Sequence, residues 1–196
     1  MLHTPPIPEA ALGAVEAGLG DLIARPGYGG ARMLTRADAS ALSLAVPHDV
    51  YTVGLDDLAR EEGLAGAKCV GRRFLVLDGD EPVASAELRD PDAGTGFVAT
   101  EGPFVRETAV AVADAERMPE VNGGEYELRL LRMPSAYLMA LWLRDRQGEA
   151  DLLIPLAPAP PGLEPRVRYS PDDLLELLQK SAGRRSDTDT DDEEDP

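Results

Sequence analysis

Cysteine and histidine are almost absent from this chain, and their scarcity limits its chemistry. It contains one cysteine, Cys69, and two histidines, His3 and His48. A lone cysteine cannot form an internal disulfide. Because there is neither an HExxH motif nor a paired CxxC, the sequence predicts no metal site, and it predicts no cofactor. His48 with Cys69 or a serine is the only sensible pairing for nucleophilic catalysis, and no GxSxG motif accompanies it.

Long hydrophobic runs are also missing. The most apolar run, Ala136 to Leu143, has eight residues, whereas a membrane-spanning helix needs about twenty. The first twenty residues contain prolines and glutamates where a secretory signal has a cationic start and an apolar core. Together with the single cysteine, these features predict a cytoplasmic protein that does not enter a membrane.

Basic residues are few, and lysine is rare among them. There are 19 Lys and Arg residues against 36 Asp and Glu residues, which gives a net charge of −17. Affinity for nucleic acid comes largely from cations that neutralise phosphates, so we predict no nucleic-acid binding. Arginine outnumbers lysine 17 to 2, and alanine, glycine and proline are abundant. This bias is typical of GC-rich codons and indicates a GC-rich bacterium as the source.

The residues that are present predict one α+β domain. A chain of 196 residues, 43% of them hydrophobic, suffices for one sizeable core. We expect a mainly antiparallel, twisted sheet of about five to seven strands, with an N-terminal helix, a middle helix and a C-terminal helix packed on it. Residues 1–7 are predicted to be a flexible proline-rich lead, 8–182 the domain, and 183–196 a disordered acidic tail.

Helical periodicity and capping signals place the helices. Leu12, Val15, Leu19 and Leu22 share one stripe of a helix over 8–25. Ser170, followed by Pro171, is a strong N-cap signal for the closing helix. A middle helix is predicted over 103–118 and a short helix over 56–62.

Alternation of apolar residues places the strands. The strongest signal is the hairpin turn Asp78-Gly79-Asp80 between two β-prone runs. The predicted strands are 50–55, 72–77, 82–89, 96–100, 125–133, 137–143 and 150–156.

Two segments allow a second interpretation. Alanines favour a helix over 103–118, whereas the alternation of Val110 and Val112 would also suit a strand; we prefer the helix because prolines bracket it. For the run after Pro134, a helix starting at Ser135 competes with a strand. We prefer the strand because both of its faces are apolar and 150–156 is an apolar run of matching length.

Two loops resemble ligand-binding motifs only in part. Asp90, Asp92 and Glu101 have the spacing of an EF-hand, but Gly94 and Thr95 occupy positions where that motif needs an oxygen ligand and a glycine. We therefore interpret the segment as a solvated loop. Residues 63–69 resemble a P-loop, yet no serine or threonine follows the lysine.

One set of residues has the composition of a contact site. Arginine and aromatic side chains are common interface anchors because they combine contact area with directional hydrogen bonds. The candidate partner-contact residues are Arg129, Arg132, Tyr137, Trp142 and Arg144. The competing interpretation places Trp142 in the core and the arginines on a solvated strand face.

These observations favour a non-enzymatic, cytoplasmic protein-interaction or regulatory domain. Its acidity would speed encounter with a more basic partner protein, which it would neutralise. The alternative is a small-molecule-binding domain or an enzyme with a carboxylate and arginine pocket beside the sheet. A contact protein should expose an apolar or arginine-rich patch, whereas a binder should have a concave site of roughly 300 to 1,000 Å³.

Overall fold

The computed structural model describes residues 1–24, 33–37, 40–59, 63–148 and 150–188. Within them, the strands are β1 (Leu2–His3), β2 (Leu42–Thr52), β3 (Lys68–Asp78), β4 (Glu81–Leu88), β5 (Val98–Thr100), β6 (Tyr126–Met133), β7 (Leu138–Asp145) and β8 (Leu152–Pro155). The α-helices are α1 (Glu9–Ala24), α2 (Leu55–Leu58), α3 (Pro103–Ala115), α4 (Pro119–Gly123) and α5 (Pro171–Thr188).

All the strands belong to one sheet, in the order β5-β4-β3-β2-β6-β7-β8, and β1 also pairs with β6. The β2–β6 and β1–β6 pairs are parallel, whereas the others are antiparallel. The parallel β2–β6 pair places the end of β2 beside the middle of β6. Residues 49–52 therefore lie next to residues 129–132, which are 80 positions further along the chain.

Helices cover both faces of the sheet because its strands are apolar on both sides. On β7, Trp142 packs in one cluster with Leu174 and Leu178 of α5. Its neighbour Leu141 packs on the opposite face, in a second cluster that includes Val112 of α3. A third cluster joins α1 to β3 and β4.

The predicted α+β architecture is confirmed, including the three helices and the mainly antiparallel sheet. The Trp142 run is a strand, and 103–115 is a helix, as we preferred in both cases. In the β3–β4 hairpin, Gly79 adopts the positive φ of 61° that its turn requires. Ser170 caps α5, since its Oγ accepts the Asp173 amide N–H at 3.1 Å.

Several elements differ from the predicted ones. The first half of β2 was not predicted, because Pro47 and a positive φ of 50° at Val46 interrupt its alternation with a bulge. β1 lies within the lead that we expected to be flexible. α5 continues past residue 182 to Thr188, since extending an existing helix costs little free energy. Residues 189–196 of the predicted tail, and 60–62 of the predicted short helix, lie outside the described residues.

Candidate binding cleft

A cleft of about 750 Å³ opens at one end of the sheet, between the β6–β7 strands and the start of α5. Three parts of the chain surround it: the end of β2, the turn after β7, and the loop that precedes β3. Its lining residues are Tyr51, Leu64, Ala65, Ala67, Arg129, Trp142, Arg144, Asp145, Gly148, Ala150, Asp151, Leu152, Ser170, Pro171 and Asp172. Its size falls within the range of small-molecule sites.

Arg129, Trp142 and Arg144 line the cleft from two neighbouring strands. Arg129 of β6 lies opposite Trp142 of β7, and the next pair on the same face is Glu127 with Arg144. Glu127 does not bond to Arg144. It accepts a hydrogen bond of 2.8 Å from Nε of Arg129.

Arg129 is held between aromatic rings. Its guanidinium carbon lies 4.5 Å from the centre of the Tyr51 ring and 4.8 Å from that of the Trp142 ring. The two rings meet edge to face, with centroids 5.1 Å apart. These cation–π contacts and the bond to Glu127 fix the guanidinium in one orientation.

The two aspartates beside Trp142 are already hydrogen-bonded within the chain. Asp151 accepts the indole N–H of Trp142 at 2.7 Å through Oδ2 and the Asp145 amide N–H at 2.9 Å through Oδ1. Asp145 in turn accepts the amide N–H groups of Gln147 and Ala150. Both carboxylates therefore serve to hold the turn and the tryptophan.

Other polar groups in the cleft remain available. Arg144 is exposed, and within the described part of the chain no hydrogen bond or ion pair is found for its guanidinium. The pKa of Tyr51 is raised, chiefly by burial, against the opposing effect of Arg129. Its phenol is consequently protonated at neutral pH and can donate a hydrogen bond.

The predicted contact residues do not all lie together. Arg129, Trp142 and Arg144 line the cleft, but Trp142 is only 3% exposed and Arg129 only 9%. Arg132 lies on the other face of the sheet, where its Nη1 is 3.0 Å from Oε1 of Glu87. Tyr137 is 81% exposed, after the 3₁₀ turn that joins β6 to β7.

Two kinds of cleft residue were missed from the sequence. Tyr51 comes from β2, and only the parallel β2–β6 pairing brings it to Arg129. Asp151 follows the turn after β7, and its closeness in sequence to Trp142 is the only signal for the hydrogen bond between them.

A second polar group lies on the α3 side of the sheet. His48, Arg73 and Glu87 stand side by side on three neighbouring strands. His48 and Arg73 are 0% and 3% exposed. Arg73 donates to Ser85 Oγ at 2.7 Å, but its Nε and the Nε2 of His48 have no hydrogen-bond partner.

Burial is the main influence on the pKa values of His48 and Arg73. It lowers the pKa of His48 to about 4, with smaller contributions from Arg73 and Arg132 and an opposing one from the Val46 carbonyl. It also lowers the pKa of Arg73 to about 10, helped by Arg132. His48 is therefore neutral at pH 7, beside a guanidinium that remains charged.

His48 and Cys69, which the sequence offered as a catalytic pairing, occupy different positions along β2 and β3. His48 pairs with Arg73 across β2 and β3, whereas Cys69 pairs with Tyr51 further along the same strands. Glu101 accepts the amide N–H groups of Met33 and Leu34, so its Oε1 caps a 3₁₀ turn. Among the described residues no group of three or more His, Cys, Asp or Glu side chains is placed to hold a metal ion. No described helix is long and apolar enough to cross a membrane.

Comparisons with protein-family models, with curated proteins and with solved structures find no match to this chain. The fold itself defines the class of protein, which is an α+β domain with one sheet covered on both faces. Its function has to be argued from the site itself.

Proposed function

We propose that this chain is a cytoplasmic, bacterial binding domain that takes a small molecule in the cleft lined by Arg129, Trp142 and Arg144. The observation that carries the proposal is the cleft itself, a concave site of about 750 Å³ whose aromatic and arginine groups converge. This arrangement favours a pocket beside the sheet over a flat contact patch, because Trp142 and Arg129 are recessed in the wall of the cleft and little exposed.

Binding without catalysis is supported by the state of the polar groups. The described lining contains neither histidine nor cysteine. Asp145 and Asp151 each accept two hydrogen bonds from the chain, and Ser170 caps α5. A general base or nucleophile needs a group that is free to reach the substrate, and these groups are not.

The test is a fragment screen with a blocked-cleft variant. Ala65 is exposed and lines the cleft, so Ala65→Phe should fill part of the cavity. Ala17→Phe, at an exposed position on α1, is the matched control. Fragments are detected by ligand-observed NMR and by the emission of Trp142, the only tryptophan. We expect fragments that bind the wild type and Ala17→Phe but not Ala65→Phe. An absence of fragments, or equal binding by all three proteins, would contradict the proposal.

A second candidate function is protein contact, and Tyr137 favours it. This aromatic side chain is 81% exposed and its backbone has a φ of 52°, a conformation that costs free energy in a residue other than glycine. An exposed aromatic at a constrained turn is suited to contact with another protein, and the acidic chain would favour a basic one. Tyr137→Ser should then reduce capture of a stoichiometric partner without lowering Tm, whereas equal capture by both proteins would count against this function.

A further inference from the structure

We infer that the ligand of the cleft is an organic anion, a carboxylate or phosphate on a planar apolar body. This inference rests on the proposed function and specifies the chemistry of the same site. The anionic group would pair with Arg144 and with the terminal amino groups of Arg129. The apolar body would lie against Tyr51, Leu64 and Ala67, which line the same cleft.

The charged groups of the cleft differ in how many hydrogen bonds they already make. Both oxygens of Asp145 and of Asp151 accept hydrogen bonds from N–H groups of the chain, so each carboxylate is partly satisfied before any ligand binds. The cationic groups differ. Arg144 makes no ion pair with the described residues, and Arg129 is bonded through Nε alone. The free charged donors of the cleft thus belong to its arginines, and the Tyr51 phenol is a further, neutral donor.

Arg129 is held in one orientation before a ligand binds. Its Nε–Glu127 bond and its two aromatic contacts leave the terminal amino groups as the free edge of a fixed guanidinium. Such an edge matches the two oxygens of a carboxylate or phosphate. Because the side chain is already immobilised, binding costs less conformational entropy than it would with a mobile arginine.

Arg144 lies in a cross-strand position whose expected ion pair is not made. Glu127 lies directly opposite Arg144 on β6 and is the nearest candidate for an ion pair by register. It bonds to Arg129 instead. Arg144 is thereby left one pair further along the same face, where it can reach an anion held by Arg129.

Several carboxylates oppose this inference and set its limits, since Asp145, Asp151 and Asp172 line the cleft and Glu127 is bonded to Arg129. Asp172 lines the rim, in the first turn of α5, where the helix dipole favours a negative charge. Glu149 lies between two lining residues in the sequence, outside the described residues. The chain also carries a net charge of −17, so long-range attraction cannot draw an anion in. Selectivity must come from the two arginines at short range.

The experiment compares four probes that share one ring system: naphthoate, naphthyl phosphate, naphthamide and naphthylmethylamine. Calorimetry and saturation-transfer NMR measure their binding to the full chain. A charge-assisted hydrogen bond contributes more than a neutral one, so at least one anion should bind roughly tenfold more tightly than the amide, and the amine should bind most weakly. Carboxylate and phosphate are separate arms and distinguish the two anion chemistries.

Arg144→Gln is the decisive variant, and Arg146→Gln is its control. Both side chains are exposed and both substitutions remove one positive charge, but Arg146 does not line the cleft. Arg144→Gln should weaken binding of the anion more than binding of the amide, so that the preference for the anion falls, and the pair with Arg129 should keep part of that preference. Arg146→Gln should preserve the preference for the anion.

The outcomes separate the inference from the proposed function. If the amide or the amine binds as tightly as the anions, or if Arg144→Gln leaves the anion preference intact, the cleft binds small molecules but the inference about anions is wrong. If none of the four probes binds, the inference is wrong, and the fragment screen with Ala65→Phe decides the proposed function separately.

Discussion

His48 is the residue whose surroundings most clearly set its chemistry. It is fully buried beside Arg73, and its Nδ1 lies 2.7 Å from the Val46 carbonyl oxygen. Burial is the main reason that its pKa is lowered from 6.5 to about 4. Between these two values the unfolded chain binds a proton that the folded chain does not, so the native state is penalised as the pH falls.

Acidification should therefore destabilise the protein through His48. His48 imposes no pH dependence above about pH 6.5, and its destabilising contribution grows as the pH falls to about 4, where it reaches about 3 kcal/mol. Urea unfolding at pH 7 and near pH 4.5 should show a smaller acid loss for His48→Gln than for the wild type. His3→Gln, at a partly exposed site, should retain most of the wild-type loss. Equal acid loss in His48→Gln and the wild type would refute this account.

Trp142 contributes to stability through its ring and its N–H group separately. The ring is 3% exposed and packs among α5 and β8, whereas the N–H donates to Asp151. Trp142→Ala should lower the free energy of unfolding by about 3 to 5 kcal/mol. Trp142→Phe keeps most of the packing and loses the hydrogen bond, so it should cost about 1 to 2 kcal/mol. Urea unfolding followed by circular dichroism measures both, and an unchanged midpoint for Trp142→Ala would place the ring outside the core.

At the scale of the element, α1 contains three glycines whose roles differ. A Cβ added at Gly13 meets no heavy atom within 4 Å, but one added at Gly18 would lie 2.5 Å from Cδ1 of Phe97. Phe97 precedes β5, so its ring packs directly against the helix backbone at Gly18. That close approach supports α1 by docking, which offsets the low helix propensity of glycine.

The same substitution should have opposite effects at the two positions. Gly13→Ala should stabilise the protein by about 0.5 to 1 kcal/mol, since it only raises helix propensity. Gly18→Ala should destabilise it by about 1 to 3 kcal/mol, because the ring must move. Thermal unfolding of both variants provides the comparison, in which each serves as the control for the other. Stabilisation by Gly18→Ala would mean that Phe97 does not pack there.

The sequence predicted correctly those features that depend only on residues close together in the chain. Ser170 and Pro171 mark the start of α5, and Gly79 marks the β3–β4 turn, because caps and turns depend on neighbouring residues. It failed at β2, where the bulge at Val46 breaks the alternation. Alternation cannot reveal a strand that contains a residue with positive φ and a proline.

At the scale of the whole molecule, the cleft was only partly predictable. Arg129, Trp142 and Arg144 were selected from one local stretch, and they do line it. Tyr51 and Ser170 reach the cleft through the β2–β6 pairing and the docking of α5. Arg132, three residues from Arg129, points to the other face. Composition identified the residue types, but the strand register decided which ones meet.

Charge is the other property of the whole molecule, and it yields a prediction about salt. Residues 1–182 hold twelve more acidic than basic residues, so repulsion between carboxylates destabilises the folded state. Raising ionic strength from about 0.01 to about 0.15 M shortens the Debye length from about 30 to about 8 Å. Surface ion pairs such as Arg117–Asp114 lose little by screening, because each contributes less than about 1 kcal/mol.

Added salt should therefore raise stability, by about 1 kcal/mol or roughly 2 to 4 °C in Tm. A chain without residues 189–196, which lacks six acidic residues, locates the repulsion. If the body carries it, as its own excess of acids implies, the truncated and full-length chains should gain nearly equal stability from sodium chloride. A gain that vanishes on truncation would assign the repulsion to the C-terminal acids, and a loss of stability with salt in both chains would show that ion pairs outweigh it.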